Sequence, residues 1–295
     1  MNSFFVGCGY VGSQVARREL TDGGSVGALV RRVKSAATLT SIGVDTQSVD
    51  LNSLALKPLP DLTGRVLYWF VPPPAQGLLD SRLAAGLGAI RRGFEPVRIV
   101  LISTTGVYGD CGGEWVDESR PVNPKSDRGQ RRVDAEQKLQ KWCQGRDVSS
   151  VVLRVPGIYG PGKLPLKRLR AGHPVLAPQV SPWSNRVHAH DLVAACLAAA
   201  RLEKPARVYN VSDGNPSSMT DFFFRVADAT GLPRPPVIGR AQQEEALSAG
   251  LLSYLAESKR IDNSLMREHL GVVPRYPDLA TGLDDLNCEV LESSG

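Results

Sequence analysis

Long apolar runs are missing from this 295-residue chain: none approaches the ~20 residues that a helix needs to cross a bilayer, so no membrane partner is expected. Cysteine is sparse. The five thiols, Cys8, Cys111, Cys143, Cys196 and Cys288, include no C-x-x-C pair, so neither a metal site nor a disulfide framework is predicted, and a reducing compartment is the default. Aromatic residues make up 6% of the chain and no dense Lys/Arg run is interleaved with them, which argues against nucleic acid as a partner. A charged and then apolar leader is also missing, since the first residues run straight into Phe4-Phe5-Val6; a cytoplasmic location is the expectation. What is there is ordinary globular composition, 42% hydrophobic and 22% charged, enough for one large domain or two modest ones. A formal net charge of +5 suits an anionic cofactor or a small anionic substrate.

Phe4, Phe5 and Val6 read as a short buried strand, and Gly7, Gly9 and Gly12 then complete G-x-G-x-x-G where a helix begins. Each glycine has its own reason. Gly7 allows a tight turn, Gly9 lets the backbone approach a pyrophosphate, and Gly12 lets the helix pack on the sheet, with the anion on the free N–H groups of the helix start. Cys8, Tyr10 and Val11 complete this predicted cofactor turn, and Val11, Val15 and Leu20 supply an apolar face behind it. Ser25–Val30 reads as a second strand and ends at Arg31-Arg32. An acidic residue here would accept hydrogen bonds from a ribose 2′-OH, whereas arginine accommodates a 2′-phosphate. NADP is therefore the predicted cofactor, with NAD the lesser alternative; two solvated arginines at a strand end are the competing reading.

A polar helix is predicted around Lys34–Ile42 and a third strand over Val44–Leu51, with Asp50 and Leu51 at the end expected near the adenine. Arg65–Val71 is the fourth strand, stopped by Pro72-Pro73-Pro74 because proline cannot donate to a sheet ladder, which places Val71 and Pro72 at its carboxyl end. Leu78–Ile90 has helical spacing, and Val97–Ile102 is a fifth apolar strand running into Ser103-Thr104. This alternation predicts an α/β fold with a parallel doubly wound sheet, ligands binding outside the carboxyl ends of its strands.

From Ser103-Thr-Thr-Gly-Val-Tyr-Gly109 onward the chain resembles the extended short-chain dehydrogenase/reductases, the NAD(P)-dependent epimerase/dehydratase group. The resemblance continues through Trp115–Glu118, Asn123-Pro124, Asp134–Leu139, Val151–Gly162, Arg186–Leu192, Val208–Asp213, Lys259–Asn263, Leu270-Gly271 and Arg275–Pro277. It implies a Rossmann-type domain over residues 1–160 and a smaller, interleaved C-terminal substrate lobe over 161–295, part of which returns to the sheet. Thr104 holds the place of the hydroxyl that polarises the substrate, and Ser103, Val155 and Pro156 join the implied cofactor contacts. The helices at Leu78–Ile90 and Arg131–Cys143 correspond to those that pair in the family's dimers, so a homodimer is implied.

One departure stands out. The family's catalytic Tyr-x-x-x-Lys, laid on Arg128–Glu136, puts Arg128 in the tyrosine's place and Arg132 in the lysine's, as in the atypical members of the superfamily. Arginine stays protonated and cannot shuttle a proton, although Arg132 retains the charge to grip a ribose or phosphate. Tyr108, Tyr159 and His188 are the candidate replacements, Tyr108 being the most economical and His188 the next; Asp110, Glu114, Asp117 and Glu118 are read as mostly solvated. Past Gly160 come the basic residues Lys163, Lys167, Arg168 and Arg170, where the resemblance implies the start of the substrate lobe; Lys163, Arg168 and Arg186 are the substrate contacts it implies, and a solvated basic helix is the competing reading. Further helices are expected at Asp191–Ala200, at Phe222–Thr230 with Thr220 or Asp221 as cap, and at Asp278–Leu286, followed by a loose tail from Cys288 to Gly295. Two functions are compatible with this sequence: an NAD(P)-dependent oxidoreductase, epimerase or dehydratase acting on a nucleotide-sugar or similar polyol with a non-standard active site, or a catalytically silent NADP-binding sensor.

Overall fold

The computed structural model describes residues 1–52 and 58–292. Its frame is a seven-stranded sheet whose first half is β1 (Ser3–Val6), β2 (Val26–Val30), β3 (Asp45–Ser48) and β4 (Val66–Trp69), interleaved with α1 (Tyr10–Thr21) and α2 (Val33–Thr40). The second half comprises α3 (Ser81–Gly88), β5 (Arg98–Thr104), α4 (Asp127–Cys143), β6 (Ser149–Val155), α5 (Ala189–Arg201) and β7 (Val208–Asn210). Strand order is β7-β6-β5-β4-β1-β2-β3, every neighbouring pair parallel. The order reverses at β1, which pairs with β2 on one side and β4 on the other, and that reversal opens a crevice at the strands' carboxyl ends.

Both faces are covered, which is why β1, β2 and β4 are buried along their whole length instead of alternating. On one face Val15 and Ala16 of α1 and Leu192, Ala195 and Ala199 of α5 pack around Phe5 and Tyr68, whose rings stack 4.6 Å apart. On the other, Leu83 and Leu87 of α3 and Ala135 and Leu139 of α4 cover Phe4, Leu67 and Trp69. Gly86 allows this second contact: a Cβ there would lie 2.1 Å from the Trp69 ring. The smaller lobe packs Phe223 and Val226 of α6 (Met219–Ala229) against Leu279 and Leu283 of α7 (Leu279–Glu292), with Tyr159 and Leu169. After Tyr159 the chain returns to the sheet with α5 and β7 before α6 and α7. Among the described residues no helix is long and apolar enough to cross a membrane.

Several elements differ from their sequence expectation for local reasons. The helix expected at Leu78–Ile90 begins only at Ser81, because the Asp80 carboxylate accepts the Leu83 N–H as its cap. The Phe222–Thr230 helix starts earlier, at Met219, and its cap is Ser218, which accepts from the Asp221 N–H; neither Thr220 nor Asp221 caps it. Residues 288–292, expected as a loose tail, continue the last helix, and 293–295 lie outside the described residues.

A buried polar chain ties the second half together. Arg154 on β6 forms an ion pair with Glu136 on α4 at 2.7 Å, and Glu136 also accepts from the Ser103 hydroxyl of β5. Arg154 reaches on to the Tyr108 hydroxyl at 3.0 Å, Tyr108 donates to Asn210 of β7 at 2.8 Å, and the Asn210 N–H donates to Glu118 at 2.6 Å. Both members of the ion pair are largely shielded from water, so removing one strands the other. Arg154→Met is expected to cost roughly 3–5 kcal/mol of stability, read as a lowered urea midpoint, a much larger loss than exposed pairs contribute.

Candidate functional site

Where β1 meets α1, the glycine turn forms one wall of a cleft of about 310 Å³ outside the ends of β1, β2 and β4. Gly7 has φ +86°, and a Cβ there would sit 2.6 Å from the Val71 side chain and 2.8 Å from its backbone nitrogen. At Gly9 a Cβ would meet nothing within 4 Å, so the backbone faces open space. Gly12 lies on the sheet side, where a Cβ would come 3.1 Å from the Gly7 carbonyl. No side chain caps α1, leaving the first-turn N–H groups of Val11 and Gly12 to face an anion. Cys8, Val71 and Pro72 also line the cleft.

At the far end of the cleft stand Arg31 and Arg32, both exposed, with Ser35 on the first turn of α2. Neither arginine has an ion pair among the described residues, so both guanidinium groups are free for a ligand. Asp50 and Leu51 form the opposite lip, where Asp50 accepts hydrogen bonds from the backbone and side-chain amides of Asn52 at 2.9 Å. Arg82, which sequence reasoning missed, staples this lip: its Nε donates to Asn52 at 2.9 Å and its Nη1 to the Pro72 carbonyl at 2.9 Å. No local motif marks Arg82, because its role arises only when α3 packs beside β4.

A second, smaller cavity of about 50 Å³ opens beside the end of β5. Thr104, Pro156 and Arg128 line it together with Tyr254, Glu257 and Lys259. Arg128, on the first turn of α4, lies over the Tyr254 ring with its Cζ 4.9 Å from the centroid. Glu257 and Lys259 form a 2.7 Å ion pair whose side chains are only 8% and 7% exposed. The strand Arg260–Ile261 pairs with Trp115–Val116 and brings this pair across to Thr104. The Lys259–Asn263 stretch carries a sequence signal, but nothing local announces that Glu257 and Lys259 turn inward.

Comparison with known proteins places this geometry. Residues 84–212 match the model of the NAD dependent epimerase/dehydratase family. The matched stretch runs from α3 to just beyond β7 and is epimerase/dehydratase-like. The 3-diazoavenalumate denitrifying reductase of a Streptomyces species is 25% identical over 293 residues, spanning 93% of this chain and 96% of the other. A functionally unknown conserved protein from Silicibacter pomeroyi DSS superposes with a TM-score of 0.80 at 27% identity, covering 98% of this chain and 99% of that one. The UDP-glucuronic acid 4-epimerase from Bacillus cereus, in complex with NAD, superposes at 0.75 with 17% identity over 99% and 98% of the two chains, a likeness of fold. The epimerase/dehydratase match contains Thr104, Arg128 and Arg186, whereas the glycine turn and the Glu257–Lys259 pair fall outside it.

The remaining predicted site residues are dispersed. Tyr108 is not brought to the Thr104 cavity: its hydroxyl is held by Asn210 and Arg154, and burial pushes it up to about 12. His188 caps α5 instead, its Nδ1 accepting the His190 N–H, and sits between the Tyr159 and Tyr276 rings where burial disfavours its charged form. Tyr159 donates to the Asp278 carbonyl. Ser103 is bonded to Glu136, and the half-buried Arg132 lies near Asp80 and Glu136; neither lines the cleft or the cavity. Val155 is buried in β6. Lys163 lies over the Tyr10 ring at 4.7 Å, beside the glycine turn. Arg168 donates to the Pro174 carbonyl and leans on Phe223, a structural use. Asp110 and Glu118, expected to be solvated, accept from the Ser258 and Asn210 N–H groups.

Arg186 is buried and makes no ion pair among the described residues; its guanidinium rests on the Phe222 ring at 4.2 Å and against the Met219 sulfur. Nearby Asp213 is also buried, one oxygen accepting the Asn215 N–H and the other without a partner. Burial pushes its carboxyl up to about 7. Because the folded value lies above the unfolded one, the folded state binds the extra proton, and stability falls as pH rises from about 4 to about 7. The loss amounts to about 1.4 kcal/mol for each unit by which the carboxyl is raised. Asp213→Asn is expected to flatten that part of the stability profile in urea titrations between pH 4 and pH 8.

Proposed function

We propose that the protein is an NADP-dependent oxidoreductase that carries hydride between the cofactor and a small anionic substrate. The observation that carries this reading is that Arg31 and Arg32, which make no ion pair among the described residues, line the same cleft as the glycine turn together with Ser35. A ribose 2′-phosphate matches this set of donors, whereas an unphosphorylated ribose leaves two cations unused. The first turn of α1 holds the pyrophosphate, the Asp50–Leu51 lip takes the adenine, and Thr104 and Pro156 lie at the nicotinamide end. When bound, the nicotinamide supplies or accepts the hydride; Thr104 orients the reacting oxygen from its place at the end of β5.

The substrate class is anionic. Arg186, desolvated against an aromatic ring and a thioether, makes no ion pair among the described residues, an arrangement that a diphosphate or carboxylate completes. A nucleotide sugar satisfies this requirement through its diphosphate. The reductase similarity favours net reduction of a planar, carboxylate-bearing substrate as a second reading. A catalytically silent NADP sensor is disfavoured by the Thr104 cavity, which a binding protein has no need to line with buried charge.

Isothermal titration is expected to show NADPH binding at least tenfold tighter than NADH, and Arg31→Ala combined with Arg32→Ala is expected to erase that difference while leaving NADH affinity within about twofold. Tighter binding of NADH by the wild-type protein overturns the cofactor assignment. Oxidation of NADPH at 340 nm in the presence of a UDP-4-ketohexose or of 4-carboxybenzaldehyde is the matching test of the redox reading.

A further inference from the structure

The Glu257–Lys259 pair is a buried charged group that neither the fold nor the cofactor cleft requires. We propose that Lys259, held by Glu257, is the proton donor and acceptor of the reaction, acting on the substrate oxygen beside Thr104. The proposal rests on the redox reading above and adds the group that moves the proton.

Three features support it. The pair lines the same cavity as Thr104, both side chains are more than nine-tenths buried, and the second oxygen of Glu257 is buried with no hydrogen-bond partner among the described residues, so the pair has unused hydrogen-bonding capacity. The backbone carrying the pair is pinned from several directions. Ser258, between the two residues, accepts from Cys111 and Gly113 through its carbonyl, donates its N–H to Asp110 at 2.8 Å, and accepts the Trp183 N–H on its hydroxyl at 3.1 Å. Asn185 accepts the Ile261 N–H and donates to the Lys259 carbonyl at 2.9 Å. Such fixation of a two-residue charged pair in a loop is characteristic of a site that needs its geometry held.

The chemistry of the neighbours also singles out Lys259. Arg128 shares the cavity and cannot give up a proton, since a guanidinium stays charged at any working pH. An alkylammonium and a phenol have similar ordinary values, about 10.4 and about 10, so a lysine can perform the transfer a tyrosine performs. Arg128, stacked on Tyr254, then serves as a fixed positive charge that stabilises the developing oxyanion. In the reducing direction the substrate carbonyl carbon takes hydride with its electron pair from the reduced nicotinamide. The C=O π pair passes to oxygen, and that oxygen takes a proton from Lys259 Nζ. The neutral amine is reprotonated from solvent, so one carbonyl, one NADPH and one proton give one alcohol and one NADP⁺.

Lys259→Arg separates this role from a structural one. It preserves the charge and the ion pair with Glu257 but cannot release a proton. For the faster of the two carbonyl probes, Lys259→Arg is expected to keep the wild-type melting temperature and NADPH affinity while losing at least 100-fold in kcat. Lys259→Met combined with Glu257→Gln, neutral and similar in volume, covers the case in which a lone buried charge prevents folding. By calorimetry on the NADP-loaded protein, this double variant is expected to bind 4-carboxybenzyl alcohol at least tenfold more weakly than wild type. Lys259→Arg turnover within threefold of wild type, or unchanged alcohol binding by the double variant, overturns the proposal while leaving the redox reading intact. Failure of the wild-type protein to oxidise NADPH with either probe overturns both.

Discussion

Arg154 and Glu136 meet inside the protein at 2.7 Å, and the order of the sheet's second half depends on that meeting. Neither charge is tolerable there alone, so β6, α4 and β5 must be in register before either is satisfied. Through Tyr108 the same chain of bonds reaches Asn210 on the edge strand, and through Asn210 it reaches Glu118 in the loop after β5. The consequence for the site is positional. Thr104, one residue beyond Ser103, and Pro156, two residues beyond Arg154, extend from the ends of strands that this network locks, so the floor of the small cavity inherits the rigidity of the core.

The cofactor cleft is organised by a different constraint. It needs open backbone, which the glycine turn supplies, and a stable far wall, which Arg82 supplies by joining Asn52 to the Pro72 carbonyl. The result is a divided layout along one sheet edge. The cleft lies over β1, β2 and β4; the small cavity lies over β5 and β6 and is closed from above by residues 254–259. Residues far apart in the chain thus line one small cavity, its Thr104 and Pro156 at the ends of sheet strands and its Tyr254, Glu257 and Lys259 from the C-terminal part.

Much of this frame was legible in the residues. The alternation of short apolar strands with helical segments implied the parallel sheet, because strands covered on both faces cannot alternate polar and apolar positions; the glycine turn and Arg31-Arg32 pointed to the cleft they line. Element ends were less legible, since Asp80 and Ser218 act as caps only through geometry that neighbouring residues offer equally well on paper. The small cavity was the least legible part. Thr104 stood out by its place after β5, but Glu257, Lys259 and Tyr254 arrive from about 150 residues later through a two-residue strand pairing, and no local periodicity reports such a contact. Tyr108 misled for the converse reason. Its sequence neighbours are those of an active-site loop, yet its hydroxyl is consumed by Asn210 and Arg154.

Cys8 occupies the first variable position of the glycine turn, in the wall of the cleft, and burial pushes its thiol up to about 12. At neutral pH it is therefore an un-ionised, weakly nucleophilic sulfur. Peroxides and alkylating agents, which react through thiolates, find little purchase at this point of the nucleotide site.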